Sequence, residues 1–284
     1  MLDIIGDTLL DGIKLLPFLF CTYLVMESLE HMTGSKMQSV IQKAGKSGPI
    51  LGSILGAFPQ CGFSAAASNL YAGRIITLGT LLSVYLSTSD EMLPILISEK
   101  AGAPMIFKIL GVKILIGMAA GLVIDFIISR VLKRKKEEMQ IGHMCEHSHC
   151  HCEEGVVKSA LRHTLDIFVY IIVITFILNL LIAFVGEEFL ANLILNRPVI
   201  GTLIAGAVGL LPNCAASIVI TELYLQGILG AGAMIGGLLV GAGVGLLVLL
   251  RVNDRPAENA KIIALLYGIG VISGIVIELL GVSF

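Results

Sequence analysis

The feature that most constrains this chain is a succession of apolar stretches on the scale of a lipid bilayer. They run from about Leu9 to Leu29, Pro49 to Ala72, Ile75 to Ile97, Met105 to Leu132, Leu161 to Val185, Val199 to Leu250 and Ile262 to Gly281. A helix needs about 20 apolar residues to cross a membrane. With 56% apolar and 14% charged residues, against about 45–50% and 25% in soluble domains, a soluble enzyme is excluded. Thirty-two glycines, no tryptophan and long unbroken runs also argue against a membrane β-barrel, whose strands are short and alternating with aromatic girdles. The expected class is an all-α polytopic membrane protein whose first partner is the lipid bilayer. At about 20 residues per crossing the chain has material for roughly eight to twelve spans and none for a second soluble domain. Its net charge of −2, with no basic tract interleaved with aromatics, gives no reason to expect a nucleic-acid partner. Asp3, Asp7 and Asp11 precede the first apolar run where a cleavable signal would carry positive charge, so that helix is expected to be retained.

A repeat emerges when the second half is slid onto the first by 153 positions, the distance from Cys61 to Cys214. Pro59 falls on Pro212, Ser64 on Ser217, Ser68 on Thr221, Leu70 on Leu223, Tyr71 on Tyr224, Gly79 on Gly232, Lys108 on Lys261, Gly117 on Gly270, Gly121 on Gly274 and Asp125 on Glu278. Apolar coincidences are common between membrane helices; those of Pro, Cys, Lys, Tyr and acidic residues at one offset are not. The long hydrophilic interval divides the copies, giving an N-terminal transmembrane repeat (residues 1–132), a linker (133–158) and a C-terminal repeat (159–284).

Lys and Arg mark cytoplasmic loops. They concentrate at Lys36, Lys43 and Lys46, at Arg130 and Lys133 to Lys136, and at Arg251, Arg255 and Lys261. With all three stretches inside, the first repeat begins outside and ends inside and the second does the opposite, so the repeats are inverted, both termini lie outside and the linker is cytoplasmic. Between Gly48 and Glu99 about 50 residues are too many for one helix and tight for three at the usual length. Broken or re-entrant half-helices around Pro59 and at Ser87 to Asp90 resolve this, for about five membrane elements per repeat and ten in all. Inverted repeats with interrupted helices are how many secondary transporters place a substrate site near the midplane.

Three groups of residues carry the candidate chemistry. The first is the pair of breaks, Pro59-Gln60-Cys61-Gly62-Phe63-Ser64 and Pro212-Asn213-Cys214-Ala215-Ala216-Ser217. Proline ends a helix and frees carbonyls, and the helix opening after it puts Cys61, Ser64 and Ser68 on one face and Cys214, Ser217 and Thr221 on its counterpart. Thiols, hydroxyls and the Gln60 and Asn213 amides could coordinate a soft or borderline ion or bind an oxyanion at a helix N-terminus; small polar residues also simply allow close helix packing. The second is Ser87-Thr88-Ser89-Asp90-Glu91 inside an apolar run, where acids are costly and usually face a pathway; Asp90 and Glu91 could bind a divalent ion or carry a counter-moving proton, or could lie at a membrane surface after a shorter helix. Its counterpart, Val240 to Val244, is uncharged. Glu222 and Glu27 are weaker acidic candidates, and Asp125 and Glu278 are expected at membrane interfaces. The third is the linker, where His143, Cys145, His147, His149, Cys150, His151 and Cys152 crowd ten residues. Such a tract points to metal binding, the alternative being a solvated polar linker without metal; it suits zinc, copper(I), nickel, cadmium or trivalent arsenic and lacks zinc-finger spacing, so a flexible site for a transition metal ion is expected there. The transport core itself calls for no cofactor.

At Pro59-Gln60-Cys61-Gly62, Gly79 and Ser87 to Glu91, and again at Pro212-Asn213-Cys214, the sequence resembles the ten-helix heavy-metal exporters, often labelled manganese transporters or arsenic efflux proteins and distantly similar to the arsenical permeases. The resemblance covers nearly the whole chain except the linker and implies an integral membrane exporter of toxic metal or metalloid. Gln60 and Asn213 depart from the permease-type motif, which carries a further small or thiol residue there. The expected function is secondary-active export of a heavy metal or metalloid ion (manganese, another divalent metal or an arsenic species) across the cytoplasmic membrane. No Walker-type phosphate loop is present, so a proton or ion gradient would drive it. The alternative is a transporter of a small organic or inorganic anion with a regulatory metal-binding linker. No catalytic motif such as His-Glu-x-x-His supports an enzyme, and assembly as a homo-oligomer is left open.

Overall fold

The computed structural model describes residues 47–59, 61–89, 92–131, 156–185, 198–282 and 284, together with residues 13, 16, 17, 19–21, 23 and 24. All regular structure among the described residues is helical. The described positions between 13 and 24 are helical and are followed by α1 (Ser47–Gly56), α2 (Cys61–Ala72), α3 (Leu78–Ser87), α4 (Met92–Ser98) and α5 (Ala103–Val131). The second set opens with α6 (Val156–Val185), whose first three residues fall within the interval read as linker, and continues with α7 (Pro198–Gly209), α8 (Cys214–Leu225), α9 (Ala231–Val240), α10 (Val244–Val252) and α11 (Pro256–Leu279). Among the described residues three stretches, Ala103–Arg130, Ala231–Val252 and Pro256–Leu279, are long and apolar enough to cross a membrane. Of their most apolar windows 17%, 89% and 33% are buried, respectively, so α9 and α10 form the centre while α5 and α11 present Phe107, Leu115, Val123, Ile272 and Val276 outward.

Helix bounds recur at the 153-residue spacing: α2 and α8 open on Cys61 and Cys214, α3 and α9 close on Ser87 and Val240, and α5 and α11 open on Ala103 and Pro256. The turns recur as well. Gly73, Arg74 and Ile75 donate their N–H groups to the carbonyls of Asn69, Tyr71 and Leu70, and Gln226, Gly227 and Ile228 donate theirs to Glu222, Tyr224 and Leu223. Ser68 and Thr221 each return a hydroxyl to the carbonyl four residues back, at 2.7 Å.

Each break has its own local cause. At the end of α3 the hydroxyls of Ser87, Thr88 and Ser89 donate to the carbonyls of Ser83, Val84 and Ser87 at 2.8–3.0 Å, a local alternative to the helical ladder. At the end of α9 glycines do the same work, with Gly243 at φ 55°, ψ −145°, a conformation close to one that is essentially restricted to glycine. At the other two breaks Pro59 and Pro212 lack the N–H that a continuing helix needs.

Contacts along α5 give the directions. Gly79 at the start of α3 meets Asp125, Ser83 meets Gly117 and Thr88 meets Lys113, so α3 runs antiparallel to α5. Gly48 and Gly52 pack on Thr80, and Gly56 on Val84 and Ser87, so α1 runs parallel to α3 from the same end. Because α2 leads through residues 73–77 into the start of α3, α1 and α2 form a hairpin about Pro59 that begins and ends on one side. In the second set Gly232 meets Glu278, Gly236 meets Gly270, and Gly209 meets Gly237, which repeats the pattern. The two turns touch α11 at different places. Arg74 pairs with Glu258 in its first turn, whereas the Gly232 N–H donates to Glu278 near its end. At 1.5 Å rise per residue, these points are about 30 Å apart, about the thickness of a bilayer's hydrocarbon core.

Candidate ion site at the helix breaks

A cavity of about 20 Å³ lies where three breaks meet, lined by Thr88, Ser89 and Met92 of the α3–α4 break, Asn213 and Ser217 at the α7–α8 break, and Gly241 and Gly243 between α9 and α10. One water-sized particle needs about 10–15 Å³ by this measure, so the space is on the scale of a single such particle. The helix breaks at Ser87 to Ser89 and at Pro212 are what turn these polar groups inward, since a broken helix leaves carbonyls and N–H groups that lipid cannot satisfy.

The wall also includes a buried lysine that the sequence patterns above did not single out. Lys113, on α5, has no solvent exposure, and its Nζ donates to the carbonyl of Leu238 at 2.9 Å and to that of Thr88. Thr88 caps the C-terminal end of α3 and Leu238 lies in the last turn of α9. The last carbonyls of a helix have no partner within it, and its C-terminus carries a partial negative charge. One ammonium therefore serves two half-helix ends, one from each half of the chain. The signal was legible: a lysine inside the apolar run from Met105 to Leu132 is as costly as an acid at Asp90.

Of the predicted site residues, Thr88, Ser89, Asn213 and Ser217 converge on this cavity. Ser87 turns its hydroxyl back onto Ser83 and Val84. Ser64 is buried against Gly245 at the start of α10, outside the cavity lining. Glu222, half-buried on α8, is not among the lining residues either. Cys61 and Cys214 are the first residues of α2 and α8, as the Pro-x-Cys motif predicts, but their side chains lie outside the described residues. So do Gln60, Asp90, Glu91 and the linker residues expected to bind metal, His143, Cys145, His147, His149, Cys150, His151 and Cys152. Among the described residues no three His, Cys, Asp or Glu side chains converge to hold a metal; the donors in view are hydroxyl, amide and carbonyl oxygens.

The position related by the repeat is filled differently. Tyr85, the counterpart of Leu238, is fully buried, and its hydroxyl lies 2.7 Å from that of Ser68. Both hydroxyls reach the Gly245 carbonyl, at 3.1 and 2.7 Å. Asp125 and Glu278, expected at interfaces, are caps: Asp125 accepts from the Gly79 N–H at 2.9 Å and the Thr77 hydroxyl at 2.7 Å, and Glu278 from the Gly232 N–H at 2.7 Å.

Against known families, a model described as "Putative, 10TM heavy-metal exporter" matches residues 2–192. The chain belongs to this family. No curated protein and no solved structure matches it. The matched segment carries the first Pro-x-Cys break, the Ser87–Glu91 break, Lys113 and the linker tract; against the expected coverage it includes the linker, and it ends before Pro212, Asn213 and Cys214. The family's description is of a membrane exporter, not an enzyme, and implies a lipid bilayer and a transported metal ion.

Proposed function

We propose that the protein is a secondary-active exporter of a heavy-metal or metalloid ion, built from two halves of opposite orientation with one ion site between their broken helices. The observation that carries this reading is the small cavity lined from both halves, by Thr88 and Ser89 and by Asn213 and Ser217. Inversion is supported by α11: the turn after α2 meets its first residues and the matching turn after α8 leads to its far end. The same contacts put the starts of α1, α3 and α11 and the end of α5 on one side. Those are the points adjoining Lys36 to Lys46, Arg251 to Arg255 and Arg130 to Lys136, which favours a cytoplasmic face there and a cytoplasmic linker.

In this reading Thr88, Ser89, Asn213 and Ser217 supply neutral oxygens, Asp90 and Glu91 supply the charge, and the thiols of Cys61 and Cys214 at the helix openings serve a thiophilic ion. The linker's His and Cys residues collect metal on the cytoplasmic side, and an ion or proton gradient drives export. Manganese, another divalent metal and an arsenic species are the substrates to test. Flux measured in vesicles with such a panel is the experiment: the variant combining Cys61→Ala, Cys214→Ala and Asp90→Asn is expected to lose metal flux, and unchanged flux would reject the site. The Lys113 ammonium favours a second reading, a small anion as cargo with the linker only regulatory. Anion flux that survives deletion of residues 143–152 while losing its response to metal would establish that instead.

A further inference from the structure

Lys113 does in this structure what a bound cation would do. Oxygen ligands at the C-terminal ends of interrupted helices are a recurrent means of holding a cation inside a membrane transporter. Here α3 starts beside Asp125 and α9 beside Glu278, and the two run inward to a common depth where the carbonyls of Thr88 and Leu238 accept from one Nζ. Two negative helix ends thus converge on one point, at the wall of this small cavity. The residue related to Lys113 by the repeat is Leu266, also fully buried, so the ammonium belongs to one of two otherwise corresponding places.

We propose that Lys113 is a resident cation which an arriving metal ion displaces from the Thr88 and Leu238 carbonyls, and that it thereby sets the affinity of the site. The inference rests on the metal-export reading above. Its physical logic is that of any conducting or transporting site, where binding must be strong enough for entry and weak enough for release. The Lys113 ammonium competes with an arriving cation for the same two carbonyl oxygens. Removing the charge leaves those oxygens to the metal alone; retaining it as a guanidinium does not.

The experiment is metal binding and vesicle flux for the full chain with Mn²⁺ and Cd²⁺, comparing the wild type with Lys113→Gln, Lys113→Met and Lys113→Arg. The neutral variants are expected to bind at least ten-fold more tightly and to turn over more slowly, and Lys113→Arg to bind within about two-fold of the wild type. A second readout needs no variant. Saturating Mn²⁺ should at least double covalent labelling of Lys113 by a small amine-acylating reagent in the wild type, with Lys108 and Lys261 as internal references. If the wild type binds and moves metal while the neutral variants bind no more tightly, the inference is overturned and the export reading stands. Should the neutral variants fail to fold, unchanged labelling of Lys113 overturns it on the wild type alone. If the folded wild type neither binds nor moves either ion, the export reading itself has failed for these metals.

Discussion

Asp125 accepts hydrogen bonds from the Gly79 N–H and the Thr77 hydroxyl, and Thr77 in turn accepts from the Thr80 N–H at 3.1 Å. Glu278 takes the matching place before α9. Both acids satisfy N–H groups that the first turn of a helix leaves without partners, and a carboxylate there also meets the positive end of the helix dipole. Their role is to hold a half-helix in place, so Asp125→Ala and Glu278→Ala are each expected to cost about 1–2 kcal/mol. Thermal unfolding in detergent would register this, while metal flux per folded molecule stays near the wild-type level. Loss of flux without loss of stability would make either acid part of the transport path. Tyr85→Phe removes one of two hydroxyls at the Gly245 carbonyl and leaves Ser68 in place, so a smaller loss of about 1 kcal/mol is expected in the same unfolding measurement.

At the scale of elements, the turns after α2 and α8 share their hydrogen bonds but not their chemistry. Both need a left-handed residue: Gly227 sits at φ 73°, whereas Arg74 occupies the equivalent place at φ 60°. A side chain there costs about 1–2 kcal/mol. What offsets it is the guanidinium, which donates to both Glu258 oxygens at 2.7 and 3.0 Å, packs on the Tyr71 ring, and ties the α2–α3 turn to the start of α11. The Tyr71 hydroxyl donates to the same carboxylate. Arg74 and Glu258 have side chains only 8% and 18% exposed, so Glu258→Gln, which removes the carboxylate charge facing a largely buried cation, is expected to cost about 3 kcal/mol. Arg74→Gly loses the same pair but relieves the backbone, and its melting temperature should fall clearly less than that of Glu258→Gln. Equal losses would mean that the backbone at Arg74 carries no strain. Gly243→Ala tests the other kind of break: at φ 55°, ψ −145° alanine should cost about 1–3 kcal/mol in the unfolding measurement.

For the whole molecule, the central question is how the linker and the core divide the work. If the linker gathers ions for a core that moves them, deleting residues 143–152 should raise the metal concentration needed for half-maximal efflux several-fold and leave the maximal rate within about two-fold. Vesicle assays over a range of metal concentrations would separate these. A collapse of the maximal rate would put the linker in the transport step itself.

The membrane class, the helical breaks at Pro59 and Pro212 and the 153-residue correspondence were all legible in the sequence, because apolar length, missing N–H groups and repeated residue types are properties of the chain alone. Asp125 and Glu278 were recognised as a pair from their register, but not as caps, because a cap is defined by which N–H group comes within reach. The same holds for the site. Thr88 and Ser89, and Asn213 and Ser217, carry polar groups that sequence can nominate, yet the two pairs are separated by more than a hundred residues, and only packing brings them to one cavity. Lys113 is the clearest case. Sequence shows a charge where lipid would penalise it, whereas its meaning depends on two carbonyls, from Thr88 and Leu238, that face one point only when helices from both halves end at the same depth.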